Sequence, residues 1–324
     1  MKLVFHPGFF ISLPSLLPGG PFELGRPIQT RGILLAAIGD SLQRYVVEPR
    51  APASDSELAL GHSAEYLLSL QLPTGVARAF EFPSLQAFTI AQLTEHLLEP
   101  LRWGVAGTIL AVNTALEGEM LVFSLAGGYH HAQFAEGGGF CIYSDIAIAI
   151  HFARLQGALK QTDRILYIDV DAHLGNGVAA MFNDDPTVLI LDAFNRNAYP
   201  TLRPTTRQAL ARVTVPVPLA AGTTDIPYVR SVSDALNQSV APLLDRDPVA
   251  LAIVNLGYDP LAADKLGGLA LTPAGISMRD RLILDELGLR GIPTVVLPGG
   301  GYSPLAAGAY AGTILERMAG FGFS

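Results

Sequence analysis

The stretch RILYIDVDAHLGNGV, residues 164–178, decides the reading of this chain. Its first half is apolar, as a buried strand requires, and its second half crowds Asp169, Asp171, His173 and Asn176 together. Side chains alternate along an extended strand. Asp169, Asp171 and His173 therefore share one face, while Ile168, Val170 and Ala172 share the other. Buried carboxylates are costly unless they are paired or hold a metal. The plainer alternative is a strand that ends in a solvated acidic turn, and a short D-x-D-x-H match alone does not exclude it.

Working outward, strand and helix signals alternate. Apolar strands are expected at residues 2–6, 120–125, 187–191, 213–217, 249–256 and 294–297, besides the featured one. Helical patterns cover 28–43, 56–70, 84–98, 101–117, 145–159, 178–183, 225–244 and 274–289. A closing helix runs to about residue 319. Pro100 is expected to break the chain between two of these helices. Ser144 and Ser303 are expected N-caps, Asp145 favours a first helical turn, and Thr272 with Pro273 opens a helix. Residues 21–26 and 73–83 read as loops. Repeated β-then-α order implies a mostly parallel central sheet between helical layers, a three-layer αβα fold of the α/β class. No linker, repeat or low-complexity segment divides the chain, so residues 1–324 are expected to form one domain.

Composition narrows the function. Half of the 324 residues are hydrophobic and 15% are charged, which excludes a disordered chain. The 21 basic and 29 acidic residues give a net charge of -8, with no basic cluster, so direct nucleic-acid binding is not expected. The single cysteine, Cys141, cannot form an intramolecular disulfide, and a reducing, cytoplasmic setting is expected. His6, Pro7 and Pro14 interrupt the apolar N-terminus, which argues against a signal peptide. No apolar run is long enough to span a membrane. The hydrophobic excess fits strands of a parallel sheet buried on both faces.

In such sheets ligands bind beyond the carboxyl ends of the strands. Four strands here run into unusual turns. Residues 120–125 lead to Gly127, Gly128, His130 and His131; the featured strand leads to Asp171 and His173; residues 249–256 lead to Gly257 and Asp259; residues 294–297 lead to Gly299, Gly300, Gly301 and Tyr302. Their convergence on one rim points to an active site. One imidazole and two carboxylates leave a position open for water, as a catalytic zinc requires. Asp171 and His173 are the first two ligands. Asp259 is the preferred third, although it could form an Asx turn before Pro260, and Asp264 competes for the role. The paired histidines offer a general base and a partner for developing charge. Asp169 and Asn176 are candidates to stand behind the rings and fix their tautomers. Tyr302, after three glycines, can swing to donate to a carbonyl oxygen. His62, on a helical pattern, reads as a packed or capping residue.

Taken together, these segments resemble the zinc-dependent histone deacetylase superfamily. GGYHHA (127–132) followed by GFCIYSDIAIAI (139–150) is similar to its tandem-histidine segment, and IDVDAHLGNG (168–177) to its metal strand. GYDPLAADKLGGLALTPAGI (257–276) is similar to its third-ligand loop, and GGGY (299–302) to its tyrosine loop. The DAHxGNG form, FNRNAYP (194–200) and LGGLALTPAGI are most similar to class IV members. The resemblance implies an arginase/deacetylase-like fold and zinc held by Asp171, His173 and Asp259, with ferrous iron as the alternative metal. It implies His131 as general base and then acid, His130 as electrostatic partner, and Tyr302 as the donor that polarises the carbonyl. Phe140 and Tyr199 match positions walling an acyl-lysine channel, and Gly128 and Gly300 are further substrate-binding candidates. Asp169 and Asp192 match a monovalent-cation site, which would take potassium. Two positions depart from the common pattern: Leu174 replaces a second histidine, and Asn176 replaces an aspartate, so His131 should be less basic than usual.

The implied activity is removal of acetyl or longer fatty acyl groups from lysine side chains of proteins or peptides. An acetylpolyamine amidohydrolase would carry nearly the same motifs. A non-catalytic acyl-lysine binder would not need a base and a mobile phenol. A two-manganese ureohydrolase needs a carboxylate where Gly175 stands. A dinucleotide-binding domain lacks its G-x-G-x-x-G between the first strand and helix. Acyl length and oligomeric state are not encoded in any motif.

Overall fold

The apolar runs become the strands of one sheet in a computed structural model that describes residues 1–13, 25–201 and 206–320. The strands are β1 (Lys2–Val4), β2 (Val46–Val47), β3 (Leu121–Ser124), β4 (Ile165–Asp169), β5 (Val188–Asn195), β6 (Val215–Leu219), β7 (Leu251–Asn255) and β8 (Thr294–Leu297). All pairings are parallel, in the order β2-β1-β3-β8-β7-β4-β5-β6. Every residue of β3, β4, β5, β7 and β8 is buried, which is why these segments are apolar along most of their length rather than alternating. At one edge, β6 carries Pro216 and Pro218 with their side chains exposed, a position where proline costs no inner ladder bond. At the other edge lies β2, which the sequence reading missed. Two residues are too few to show a period.

Helices cover the sheet in two groups. Arg26–Ile38, Asp225–Ala235, Pro273–Leu289 and Ala306–Gly320 pack on one another, and Glu99–Leu116, Asp145–Leu155, Asn176–Met181 and Thr206–Arg212 form the second group. Thr272 caps its helix as expected, its hydroxyl accepting the Gly275 N–H at 3.1 Å.

Several expectations need correction. Residues 73–79 are not a loop but a helix, Pro73–Ala79, because Pro73 occupies the first turn where its missing N–H costs nothing. Pro100 does not break the chain: a π-helical turn, Thr94–Leu98, runs directly into Glu99–Leu116. The wider turn takes up the proline that a regular helix would reject. The same device precedes Pro242, where Leu236–Val240 leads into Ala241–Arg246. Neither expected serine caps a helix through its side chain. The hydroxyls of Ser144 and Ser303 have no partner among the described residues, and the closing helix starts at Ala306. Most of the expected loop at 21–26 lies outside the described residues, and Arg26 already begins a helix.

Candidate active site

The sheet order explains the convergence seen in the sequence. β3, β8, β7 and β4 are consecutive neighbours, so the turns after them open side by side. Asp171, His173 and Asp259 come together there, each offering a ligand atom within 4.8 Å of the others, and all three are buried. His173 Nδ1 lies 3.1 Å from Asp171 Oδ1 and 2.8 Å from Asp259 Oδ2. The second oxygens are held by backbone: Gly300 N–H donates to Asp171 Oδ2 at 2.7 Å and Ala172 N–H to Asp259 Oδ1 at 2.8 Å.

Electrostatically this is a cation nest. Burial pushes the Asp259 carboxyl up to about 7, and the neighbouring Asp171 adds to the rise. Burial opposes charge on His173, yet Asp171 and Asp259 override it and draw a proton to the ring. That proton stands among one nitrogen and two carboxylate oxygens, the donor set that fits a divalent zinc or iron.

The tandem histidines sit on the β3 turn with distinct partners. His130 Nδ1 is 2.8 Å from Asp169 Oδ2, and His131 Nδ1 is 2.7 Å from Asn176 Oδ1. Burial disfavours charge on both. On His130, Asp169 and Asp171 win and raise the pKa to about 9. On His131, burial is reinforced by His130 and His173, and the pKa falls well below 6.5. One ring is thus charged and its neighbour neutral.

Supports missed in the sequence hold these rings. Asp169 also accepts Tyr167 Oη at 2.6 Å, from two residues earlier on the same face of β4, and Asn255 Nδ2 at 3.1 Å, because β5, β4 and β7 place Asp192, Asp169 and Asn255 in one register row. Asp145 faces the histidine turn, not only its own helix: it accepts Gly128 N–H at 2.9 Å, Tyr129 N–H at 2.8 Å and the Thr108 hydroxyl at 2.6 Å. A Cβ on Gly128, whose φ is +86°, would fall 2.3 Å from Asn255 Oδ1. The β4 exit is held from behind, where Val170 O accepts Tyr228 Oη and Arg279 Nη1, each at 3.0 Å.

A channel of about 180 Å³ reaches this cluster, lined by Glu81, His131, Gly139, Phe140, His173, Tyr199, Leu266 and Tyr302. Phe140 meets Tyr302 edge-on at 6.0 Å, and Tyr199 meets His131 at 4.8 Å. Burial, then Asp259 and Asp171, push the Tyr302 phenol well above 10, so it stays protonated and able to donate. Gly128 and Gly300 line an adjoining inner cavity of about 120 Å³ beside Arg26, His130 and Cys141, which shares Phe140 and Tyr302 with the channel. Arg26 ties down that side by donating to the carbonyls of Gly299 and Gly300.

The sequence model of the histone deacetylase domain matches residues 28–318. This chain belongs to the histone deacetylase family. Histone deacetylase 2 of Arabidopsis thaliana is 34% identical over 305 residues, covering 94% of this chain and 74% of that protein. Histone deacetylase 8 of Danio rerio is 30% identical over 279 residues, 83% and 70% of the two chains. Among solved structures, the HDA15 HD domain superposes with a TM-score of 0.77 at 20% identity, over 99% of this chain and 91% of that one. An HDAC homologue from Aquifex aeolicus gives 0.75 at 22%, over 98% and 84%. These likenesses establish the arginase/deacetylase-like fold.

Two residues in this deacetylase-family fold settle alternatives that the sequence left open. Asp264, a rival third ligand on sequence, is outside the ligand group and accepts the Tyr302 N–H at 2.6 Å. His62 is a packed residue as expected: it is buried, and its Nε2 accepts the Ser144 N–H at 2.9 Å. No helix of the described residues is long and apolar enough to cross a membrane.

Proposed function

We propose that this chain is a zinc-dependent lysine deacylase that removes acetyl or longer fatty acyl groups from lysine side chains of proteins or peptides. The observation that carries the reading is a buried Asp171–His173–Asp259 cluster at the base of an aromatic channel, flanked by a neutral His131 and a charged His130. Asp171, His173 and Asp259 would hold zinc, and ferrous iron suits the same donors. When bound, the metal supplies Lewis acidity toward water and the acyl carbonyl.

The protein's own groups divide the remaining work. With Nδ1–H donated to Asn176, His131 presents Nε2 as the base that takes the water proton. It later returns that proton to the departing lysine amine, giving a free amine and a carboxylate. His130, charged against Asp169, favours the developing negative charge and keeps its neighbour neutral. Tyr302 donates to the carbonyl oxygen as its charge grows. Phe140 and Tyr199 flank the aliphatic stem, which an uncharged amide head allows to enter an apolar channel.

A monovalent cation, potassium in this reading, would sit by Asp169 and Asp192. Asp192 Oδ1 is buried without a partner among the described residues, which supports a site for positive charge. The DAHxGNG, FNRNAYP and LGGLALTPAGI forms support a class IV position within the family, and a buried thiol at Cys141 agrees with a cytoplasmic setting.

The test is metal analysis combined with a panel of acetyl-, medium- and long-chain acyl-lysine peptides and acetylated polyamines. One metal per chain and hydrolysis of acyl-lysine peptides is the expected result. Exclusive turnover of polyamines would move the substrate class, and two metals per chain would overturn the mechanism.

A further inference from the structure

Asp264 stands beside the channel, and the partners of its carboxylate are backbone N–H groups rather than histidines. Its Oδ2 accepts the Tyr302 N–H at 2.6 Å, and its Oδ1 accepts the N–H groups of Leu266 at 2.9 Å and Gly267 at 3.3 Å. Leu266 and Tyr302 both line the channel, from loops that follow different strands. The tyrosine loop has little stiffness of its own, since Gly299 and Gly301 both have positive φ, +58° and +138°. Arg26 grips this loop from the inner side through the carbonyls of Gly299 and Gly300. Asp264 grips its next turn through an amide. A cation on the carbonyls and an anion on the N–H leave the residue after the three glycines one backbone direction.

We infer that Asp264 is a positioning residue that ties the tyrosine loop to the third-ligand loop, so that the Tyr302 phenol meets the acyl carbonyl already oriented. The inference rests on the amidohydrolase reading above. It also explains why a carboxylate stands here. Both oxygens accept, and an amide has only one acceptor oxygen. Asparagine would turn an N–H₂ toward either Tyr302 N–H or the 266–267 turn, releasing one arm.

The experiment is a double-mutant cycle between Asp264→Asn and Tyr302→Phe. Asp264→Asn alone should lower kcat about 10- to 100-fold, the scale of a misplaced catalytic group, with KM and metal content per chain unchanged. In the Tyr302→Phe background the same substitution should lower kcat no further. Equal losses in both backgrounds, an unchanged kcat, or loss of metal would overturn the inference. Asp264→Glu keeps both acceptor oxygens on a longer arm and should show the same non-additivity if the asparagine variant does not fold. Hydrogen exchange of residues 299–302 supplies a readout independent of activity: it should quicken in Asp264→Asn while β4 stays protected. If no acyl-lysine peptide is hydrolysed by the parent protein, the functional reading fails. Unchanged exchange at 299–302 would then still overturn the tether.

Discussion

His131 Nδ1 lies 2.7 Å from Asn176 Oδ1, so the ring proposed as base is backed by a neutral amide. An amide fixes the tautomer without lending charge. The pKa of His131 is already depressed by burial, by His130 and by His173. Asn176→Asp would place an anion at the same contact and raise it. Because the neutral ring is the active form, the acid limb of kcat/KM should move to higher pH. A pH–rate profile that does not move would remove His131 from the role of base.

Tyr302→Phe deletes one donor and no volume of consequence. The phenol, protonated because burial and the two carboxylates raise its pKa, is assigned to the carbonyl oxygen only as charge develops. The expected loss is about 10²- to 10³-fold in kcat, as for removal of one oxyanion donor, with KM nearly constant. A rise in KM at unchanged kcat would instead make Tyr302 a binding residue.

The backbone at Gly300 closely approaches the carboxylates of the ligand cluster. A Cβ there would fall 2.6 Å from both Asp171 Oδ2 and Asp259 Oδ2. Gly300→Ala should therefore push the carboxylates apart and weaken metal binding while the sheet remains intact. Thermal unfolding with and without zinc reads this directly. A ligand at a thousand times its Kd stabilises the native state by about 4 kcal/mol, and the increment should shrink sharply in the variant. An undiminished increment would show that the cluster is not the metal site.

The chemistry was more legible in the sequence than its supports. Asp171, His173, Asp259, the paired histidines and Tyr302 each follow an apolar strand, and strand-end polarity is a signal one sequence carries. Tyr167 and Asn255 look like ordinary members of buried strands; Tyr167 reaches Asp169 from two residues earlier on the same strand, and only the register of β4 and β7 reveals that Asn255 does so too. Asp145 carried a local signal, a favourable acid at a helix start, which concealed a long-range one to Gly128 and Tyr129. Asp264 competed with Asp259 for the third-ligand role on sequence, and its actual partners are backbone N–H groups that no side-chain pattern records. Pro100 misled because a π-helical turn absorbs a proline without leaving a sequence mark.

His62 links acid stability to the histidine turn. Its Nε2 accepts the Ser144 N–H, directly before Asp145, so protonation destroys a buried hydrogen bond. Burial lowers its pKa from 6.5 to about 4. Between those values the unfolded chain binds a proton that the native protein does not, so stability rises with pH across this window. The contribution is complete above pH 6.5 and is lost as pH falls to about 4. At about 1.4 kcal/mol per pH unit, the loss amounts to roughly 3 kcal/mol. His62→Gln keeps an acceptor near the Nε2 position and cannot titrate. Denaturant unfolding at pH 7 and pH 4.5 should show the parent losing more stability than the variant over this interval. Parallel losses would mean that His62 is already protonated in the native state, and that the Ser144 contact does not depend on a neutral ring.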